Sequence, residues 1–154
     1  MSTHIQYILL FLILNFGALA IGSYFMNNGP QTNWYLSLNK APWTPPGWFF
    51  GMAWTTIMIC FSIYLAFLLK LKPGSTFWMV FFIQFILNIA WNYIFFNQRL
   101  FGFGLIEIIL LTAIVGYYLF QFGSGLGVKS WLIVPYFAWL LIATSLNAYV
   151  YFKN

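Results

Sequence analysis

The chain predicts an all-α integral membrane protein, a bundle of five transmembrane helices, and three observations carry that expectation. Of its 154 residues, 63% are hydrophobic and only 5% charged, against about 25% charged in an ordinary soluble domain. A surface built from so few charges could not face water. Five apolar stretches, near residues 5–26, 47–69, 76–97, 102–122 and 130–152, each reach the ~20 helical residues that cross a bilayer. Barrel strands would instead alternate over ~10 residues, and only helices or closed barrels satisfy backbone groups in lipid. Residues 1–154 therefore read as one membrane domain, expected in a cell membrane as a multi-pass protein.

The first span holds Asn15 and a small-residue pair, Ala18 and Gly22. Ala18-Leu19-Ala20 mimics a signal-peptide cleavage site. No Lys or Arg precedes the apolar run, however, and it continues to Met26, so a retained helix is expected. Asn27-Asn28-Gly29-Pro30 ends this span, Lys70-Leu71-Lys72-Pro73-Gly74 the second, and Gly123-Ser124-Gly125-Leu126-Gly127 the fourth. The third break, around Asn97-Gln98-Arg99, is tight. Gly47-x-x-x-Gly51, at the start of the second span, matches a helix-dimer spacing. It also follows two prolines, so helix capping and close packing are an equal reading.

Between the first two spans lies an unusual connection. Trp34-Tyr35 is followed by Leu38-Asn39-Lys40-Ala41-Pro42-Trp43-Thr44-Pro45-Pro46-Gly47-Trp48-Phe49, with three prolines and five large aromatics counted from Trp34. Proline fixes φ and biases its predecessor toward extended backbone, so this connection is expected to hold one shape. Rigid aromatic surface at a membrane face points to a lid over a flat, apolar ligand.

The net charge of +5 is no nucleic-acid footprint. Lys40, Lys70, Lys72, Arg99, Lys129 and Lys153 are scattered at or near the ends of apolar runs, where basic residues anchor helices at head groups. Three of them fall on each side of the membrane, so the positive-inside rule gives no orientation. Cys60 is the only cysteine, which excludes an intrachain disulfide.

Polar residues inside the spans mark where to look for a site. Gln84, Asn88 and Asn92 fall in one stripe about 80° wide on the third helix, and Trp91 and Phe95 join that face. On the fifth, Tyr136, Trp139, Ala143, Asn147 and Tyr151 share a face, and small Ala143 leaves room beside the indole. Each amide alone can be interhelical glue. Amides mixed with tryptophans on two helices fit a pocket as well, since pockets are apolar and aromatic with a few placed polar groups. Of the eight tryptophans, Trp78 and Trp131 fit the interfacial belt, whereas Trp54, Trp91 and Trp139 lie deeper. Glu107, the only acid, is either a functional intramembrane carboxyl or an interfacial one, protonated or paired with Arg99.

One His, one Cys and one acid leave no catalytic triad, no carboxylate pair and no metal-ligand cluster. Ordinary acid–base or nucleophilic catalysis is not expected, nor a metal or a resident cofactor. No residue in the membrane core makes a convincing axial ligand for haem iron, so a tetrapyrrole guest would be metal-free.

These motifs resemble the TspO/MBR, or translocator protein, family (the peripheral benzodiazepine receptor family) in a bacterial-type form. The matching residues are Trp34-Tyr35, Lys40-x-Pro42-Trp43-x-Pro45-Pro46-Gly47, Gly51-x-x-Trp54, Gln84-x-x-Leu87-Asn88-x-x-Trp91 with Phe95-Phe96, and Pro135-Tyr136-x-x-Trp139-x-x-x-Ala143-x-x-Leu146-Asn147. The resemblance implies a homodimer of five-helix bundles whose pocket opens toward the first connecting loop. It implies protoporphyrin IX, sterol-like molecules and isoquinoline carboxamides as ligands. The pocket would be made by Trp34, Tyr35, Pro45, Pro46, Trp54, Asn88, Trp91, Trp139, Ala143 and Asn147. Some bacterial members are similar to a light- and oxygen-dependent porphyrin-degrading enzyme, in which Trp54 and Trp139 would be the catalytic indoles. Leu146 to Lys153 holds a loose sterol motif, but it ends in lysine with no arginine, which weighs against sterol. Three functions follow as expectations: a membrane receptor that senses or sequesters porphyrin, a photo-oxidative porphyrin-degrading enzyme, or a transporter of porphyrin-like amphiphiles. A lone acid and an odd number of spans weigh against coupled transport.

Overall fold

The computed structural model describes residues 2–154. Its helices are α1 (Thr3–Met26), α2 (Asn33–Ser37), α3 (Gly47–Leu71), α4 (Ser75–Asn92), α5 (Phe101–Leu126) and α6 (Val134–Lys153). The five long helices agree with the five expected spans, and α2 is a short turn of helix inside the first connection. Four uninterrupted helical runs are long and apolar enough to cross a membrane, the last being the 53 residues Phe101–Lys153. Drawn straight, that run would reach about 80 Å, more than twice the ~30 Å hydrocarbon core. It folds back at Gly127, whose φ of 57° is left-handed, through a 3₁₀ turn at Gly127–Ile133 into Pro135 in the first turn of α6. Glycine at the stop and proline at the restart are where each costs least.

The other connections follow from local chemistry as well. Asn27 and Asn28 take the left-handed conformation after α1, which asparagine tolerates better than most residues. Gly74 (φ 135°, ψ −177°) turns the chain between α3 and α4 in a region open essentially to glycine. The tight third break is a π-helical turn, Tyr93–Asn97, followed by Arg99 at a φ of 56°.

α1 packs on α3 and α4, α4 on α5, α5 on α6, and α6 on α3. The five long helices thus close a ring in the order α1–α3–α6–α5–α4. The interior is filled by Phe11, Met58, Phe61, Tyr64, Leu65, Phe81, Tyr136 and Leu140, all without exposed surface. Some buried polar groups are plain glue. Asn15 Nδ2 donates to Ser62 Oγ at 2.9 Å, tying α1 to α3, and the Tyr64 hydroxyl donates to the Tyr118 carbonyl at 2.9 Å.

Small residues allow close approach where the ring needs it. Ala18 and Gly22 of α1 are buried, and a Cβ on Gly22 would stand 2.7 Å from the Asn92 amide nitrogen. That face of α1 is occupied within the chain, by α4. A Cβ on Gly29 would stand 2.5 Å from the Phe96 ring. Gly29→Ala is therefore expected to cost about 1–3 kcal/mol through overpacking, read as a lower melting midpoint in detergent. Gly47 and Gly51 have nothing near them and lie exposed. Within the chain, Gly47 serves as the first residue of α3 behind Pro46, its N-cap.

Candidate functional site

The connection between α1 and α3 forms a strap fastened at both ends of its course. At one end, Trp34 stacks on Phe101 (centroids 5.8 Å apart, planes 8° apart) and leans on Phe95, while the Arg99 guanidinium lies 4.9 Å over its ring. Tyr35 sits against Phe96 at 5.5 Å. The π turn after α4 aims Phe95 and Phe96 at these two lid residues. Such turns recur at functional sites. Burial raises the Tyr35 phenol above its ordinary pKa.

Lys40 does not reach outward to head groups. Its Nζ donates to the carbonyls of Tyr35 (2.9 Å), Leu36 (3.3 Å) and Leu38 (3.4 Å) and lies 4.8 Å over the Tyr35 ring. A cation placed there satisfies the free carbonyls at the end of α2.

At the other end, the strap is bonded to α6. The Trp43 indole N–H donates to Ser145 Oγ at 3.1 Å, and the ring meets Tyr149 edge to face. The backbone N–H of Asn39 donates to Asn154 Oδ1 at 2.9 Å, Asn39 Nδ2 donates to the Lys153 carbonyl, and Asn154 Nδ2 donates to the Asn39 carbonyl. Pro45 is half-buried, and Pro46 is exposed where the strap enters α3. Both therefore shape the strap's descent.

Beneath the strap the two polar faces meet. Trp91 Nε1 donates to Asn147 Oδ1 at 3.2 Å, and Asn147 Nδ2 donates to the Ala143 carbonyl at 2.8 Å. Trp91 stacks on Phe95 at 5.0 Å. Asn88 and Ala143 are buried nearly completely. One layer deeper, Trp139 is held between Phe49 and Phe50 of α3, and its indole nitrogen is buried without a partner. Trp54 meets Tyr136 edge to face at 5.9 Å, and the Tyr136 hydroxyl accepts from Gln84 Nε2 at 2.7 Å.

Trp91 and Asn147 are thus bonded directly, Trp54 and Trp139 lie on the inward faces of α3 and α6, and Trp34 and Tyr35 close the top. Two residues depart from their expected faces: Asn92 turns toward Gly22 of α1, and Tyr151 is exposed beside Gly102. Phe50 and Phe101 belong to the site and were absent from the sequence expectation, and Phe49, expected in the lid, reaches the interior beside Trp139. Phe49 closes the aromatic connection and Phe50 follows it, so that run itself was the available signal.

Glu107 is not paired with Arg99: it is 5% exposed, neither carboxyl oxygen has a hydrogen-bond partner, and Arg99 lies over Trp34 instead.

The interior under the strap is lined by rings packed on one another. Two prominent recesses lie elsewhere. One is an open groove of about 820 Å³ on the outer side between α5 and α6. The other, about 450 Å³, lies at the α3–α4 turn. None of the site residues named from the sequence lines either one.

With this geometry in place, comparison with known proteins is specific. The TspO/MBR family profile matches residues 9–152. The chain is 36% identical over 125 residues to the tryptophan-rich protein TspO of Bacillus cereus, covering 79% of this chain and 80% of that protein. It is 30% identical over 139 residues to the human translocator protein, covering 87% and 82%. It is 30% identical over 117 residues to a tryptophan-rich sensory protein of Cereibacter sphaeroides, covering 74% and 72%. The extent of these matches and the five-helix membrane fold agree: the chain is an integral membrane protein belonging to the TspO/MBR family.

Proposed function

We propose that the protein binds metal-free tetrapyrroles such as protoporphyrin IX at the cell membrane, sensing or sequestering them in the interior beneath the strap. The observation that carries this reading is the buried, unpartnered Trp139 indole nitrogen in an aromatic interior. A buried donor left unpaired costs about 1–3 kcal/mol, and a guest bearing an acceptor relieves that cost. Ring faces from Trp54, Trp91 and Trp139 suit a flat guest. The word "sensory" in the name of the Cereibacter sphaeroides relative accords with binding rather than bulk transport. The same interior is proposed to take isoquinoline carboxamides, with sterols less favoured. A homodimer is the proposed assembly.

A second reading, light- and oxygen-dependent porphyrin degradation, is favoured by one observation. Trp54 contacts Tyr136, which packs in turn on Phe61 and, through it, on Tyr64 and Tyr118. Oxidisable rings therefore adjoin the proposed guest, whose own photochemistry would supply the reactivity.

Titration of the purified protein with protoporphyrin IX in the dark, followed by tryptophan quenching, tests binding. Aerobic illumination with product analysis tests chemistry. Saturable quenching in the micromolar range or tighter is expected, with product formation reduced severalfold in Trp54→Phe and Trp139→Phe. Absence of dark binding would overturn the porphyrin reading. Wild-type turnover in both variants would overturn only the role of the indoles.

A further inference from the structure

Glu107 stands apart from everything assigned above. On α5 it belongs to the buried face formed by Gly104, Ile108, Leu111 and Val115. Its depth is fixed by two contacts between antiparallel helices: the Thr112 and Thr144 hydroxyls are 3.2 Å apart, and Gly102 lies against Tyr151. Counting five residues inward puts Glu107 opposite Tyr149 from the first contact and opposite Leu146 from the second, so it lies level with the turn that holds Asn147, under the strap. One turn earlier on the same face, Gly104 lies against Trp91 and Phe95, whose rings are stacked. The Asn147 amide oxygen is already taken by Trp91, whereas both Glu107 oxygens are free of partners.

A buried carboxyl without a partner stays protonated, or ionises when a cation arrives to pair with it. Aromatic faces attract cations too, most strongly where water is excluded. Here both features share one layer. The rest of the chain carries six basic side chains and no other acidic side chain.

We propose that the interior layer under the strap also takes a lipophilic organic cation, a flat aromatic amine, with Glu107 as its counter-charge and the Trp91–Phe95 stack as the surface it lies on. The proposal goes beyond the tetrapyrrole reading and shares only the interior with it.

The test compares 9-aminoacridine, a cation at neutral pH, with acridine, its neutral near-isostere, by tryptophan quenching of the detergent-solubilised full chain. The wild-type protein is expected to bind the cation about tenfold more tightly than the neutral ring, the scale of one well-placed charge interaction. Glu107→Gln is expected to bring the two ligands to the same affinity, and Glu107→Asp, which keeps the charge, to retain a preference for the cation. Protoporphyrin IX added to the wild-type protein is expected to displace the bound cation. A wild-type protein without preference, or Glu107→Gln with the wild-type preference, would overturn the proposal. So would Glu107→Asp behaving as Glu107→Gln, since that outcome marks a purely structural role. A preserved cation preference with no porphyrin binding would overturn the tetrapyrrole reading and leave this one standing.

Discussion

Asn147→Leu is expected to weaken dark binding of protoporphyrin IX by about tenfold or more and to lower stability by about 1–3 kcal/mol, the penalty for stranding a buried donor. Leucine keeps the γ-branched shape and is larger than asparagine, so the effect is not that of a cavity. What disappears is the acceptor for Trp91 Nε1 and the donor to the Ala143 carbonyl. Trp91 is also the ring that stacks on Phe95 and meets Phe96 edge to face, and those two rings carry Trp34 and Tyr35. Loosening Trp91 therefore disturbs the inner wall and the strap together. Dark titration and a melting curve in detergent measure the two effects separately. Wild-type affinity in this variant would mean that the Trp91 orientation is irrelevant to the guest.

Releasing the strap is expected to have the largest kinetic effect. Asn39→Ala combined with Trp43→Ala removes the Nδ2 hydrogen bond to the Lys153 carbonyl, the indole hydrogen bond to Ser145 and the contact with Tyr149. The Trp34, Tyr35 and Lys40 contacts at the other end stay in place. Both substituted residues lie outside the interior, so porphyrin entry and exit are each expected to quicken about tenfold, as for a loosened lid. Affinity, the ratio of the two rates, should change much less. Stopped-flow absorbance of the porphyrin gives both rates. Unchanged rates would mean that guests enter by another route, between helices from the lipid.

Much of this arrangement was legible in the sequence because membranes impose simple rules. Apolar runs of bilayer length, broken by Asn-Gly-Pro, Lys-Pro-Gly and Gly-rich segments, gave five spans close to the observed helices. Helical spacing put Gln84, Asn88 and Trp91 on one face and Trp139, Ala143 and Asn147 on another, and these do face inward. Ring closure was not legible, because lipid-facing and interior positions are both apolar here: Ile13, Phe103 and Phe120 are exposed, while Phe11, Phe61 and Phe81 are buried. Nor was the π turn at Tyr93–Asn97, since its residues carry no helix-breaking signal. The Glu107–Arg99 pairing, one of the alternatives offered by their sequence spacing, does not form. The left-handed Arg99 and the stacking of its guanidinium on Trp34 send the two side chains apart. Lys40 was likewise assigned to head groups, although its reach to three carbonyls of its own strap satisfies both charge and backbone.

Whether a porphyrin lies in the interior beneath the strap is read from where it oxidises the protein. Brief aerobic illumination of the porphyrin-loaded protein, with peptide mass spectrometry, reports which indoles the guest adjoins. Oxidation is expected to concentrate at Trp54, Trp91 and Trp139, although Trp139 is only 5% exposed, with Trp131 and Trp48 spared despite being 70% and 69% exposed. Oxidation that follows exposure instead, reaching Trp131 and Trp48 first and leaving Trp139 intact, would contradict it.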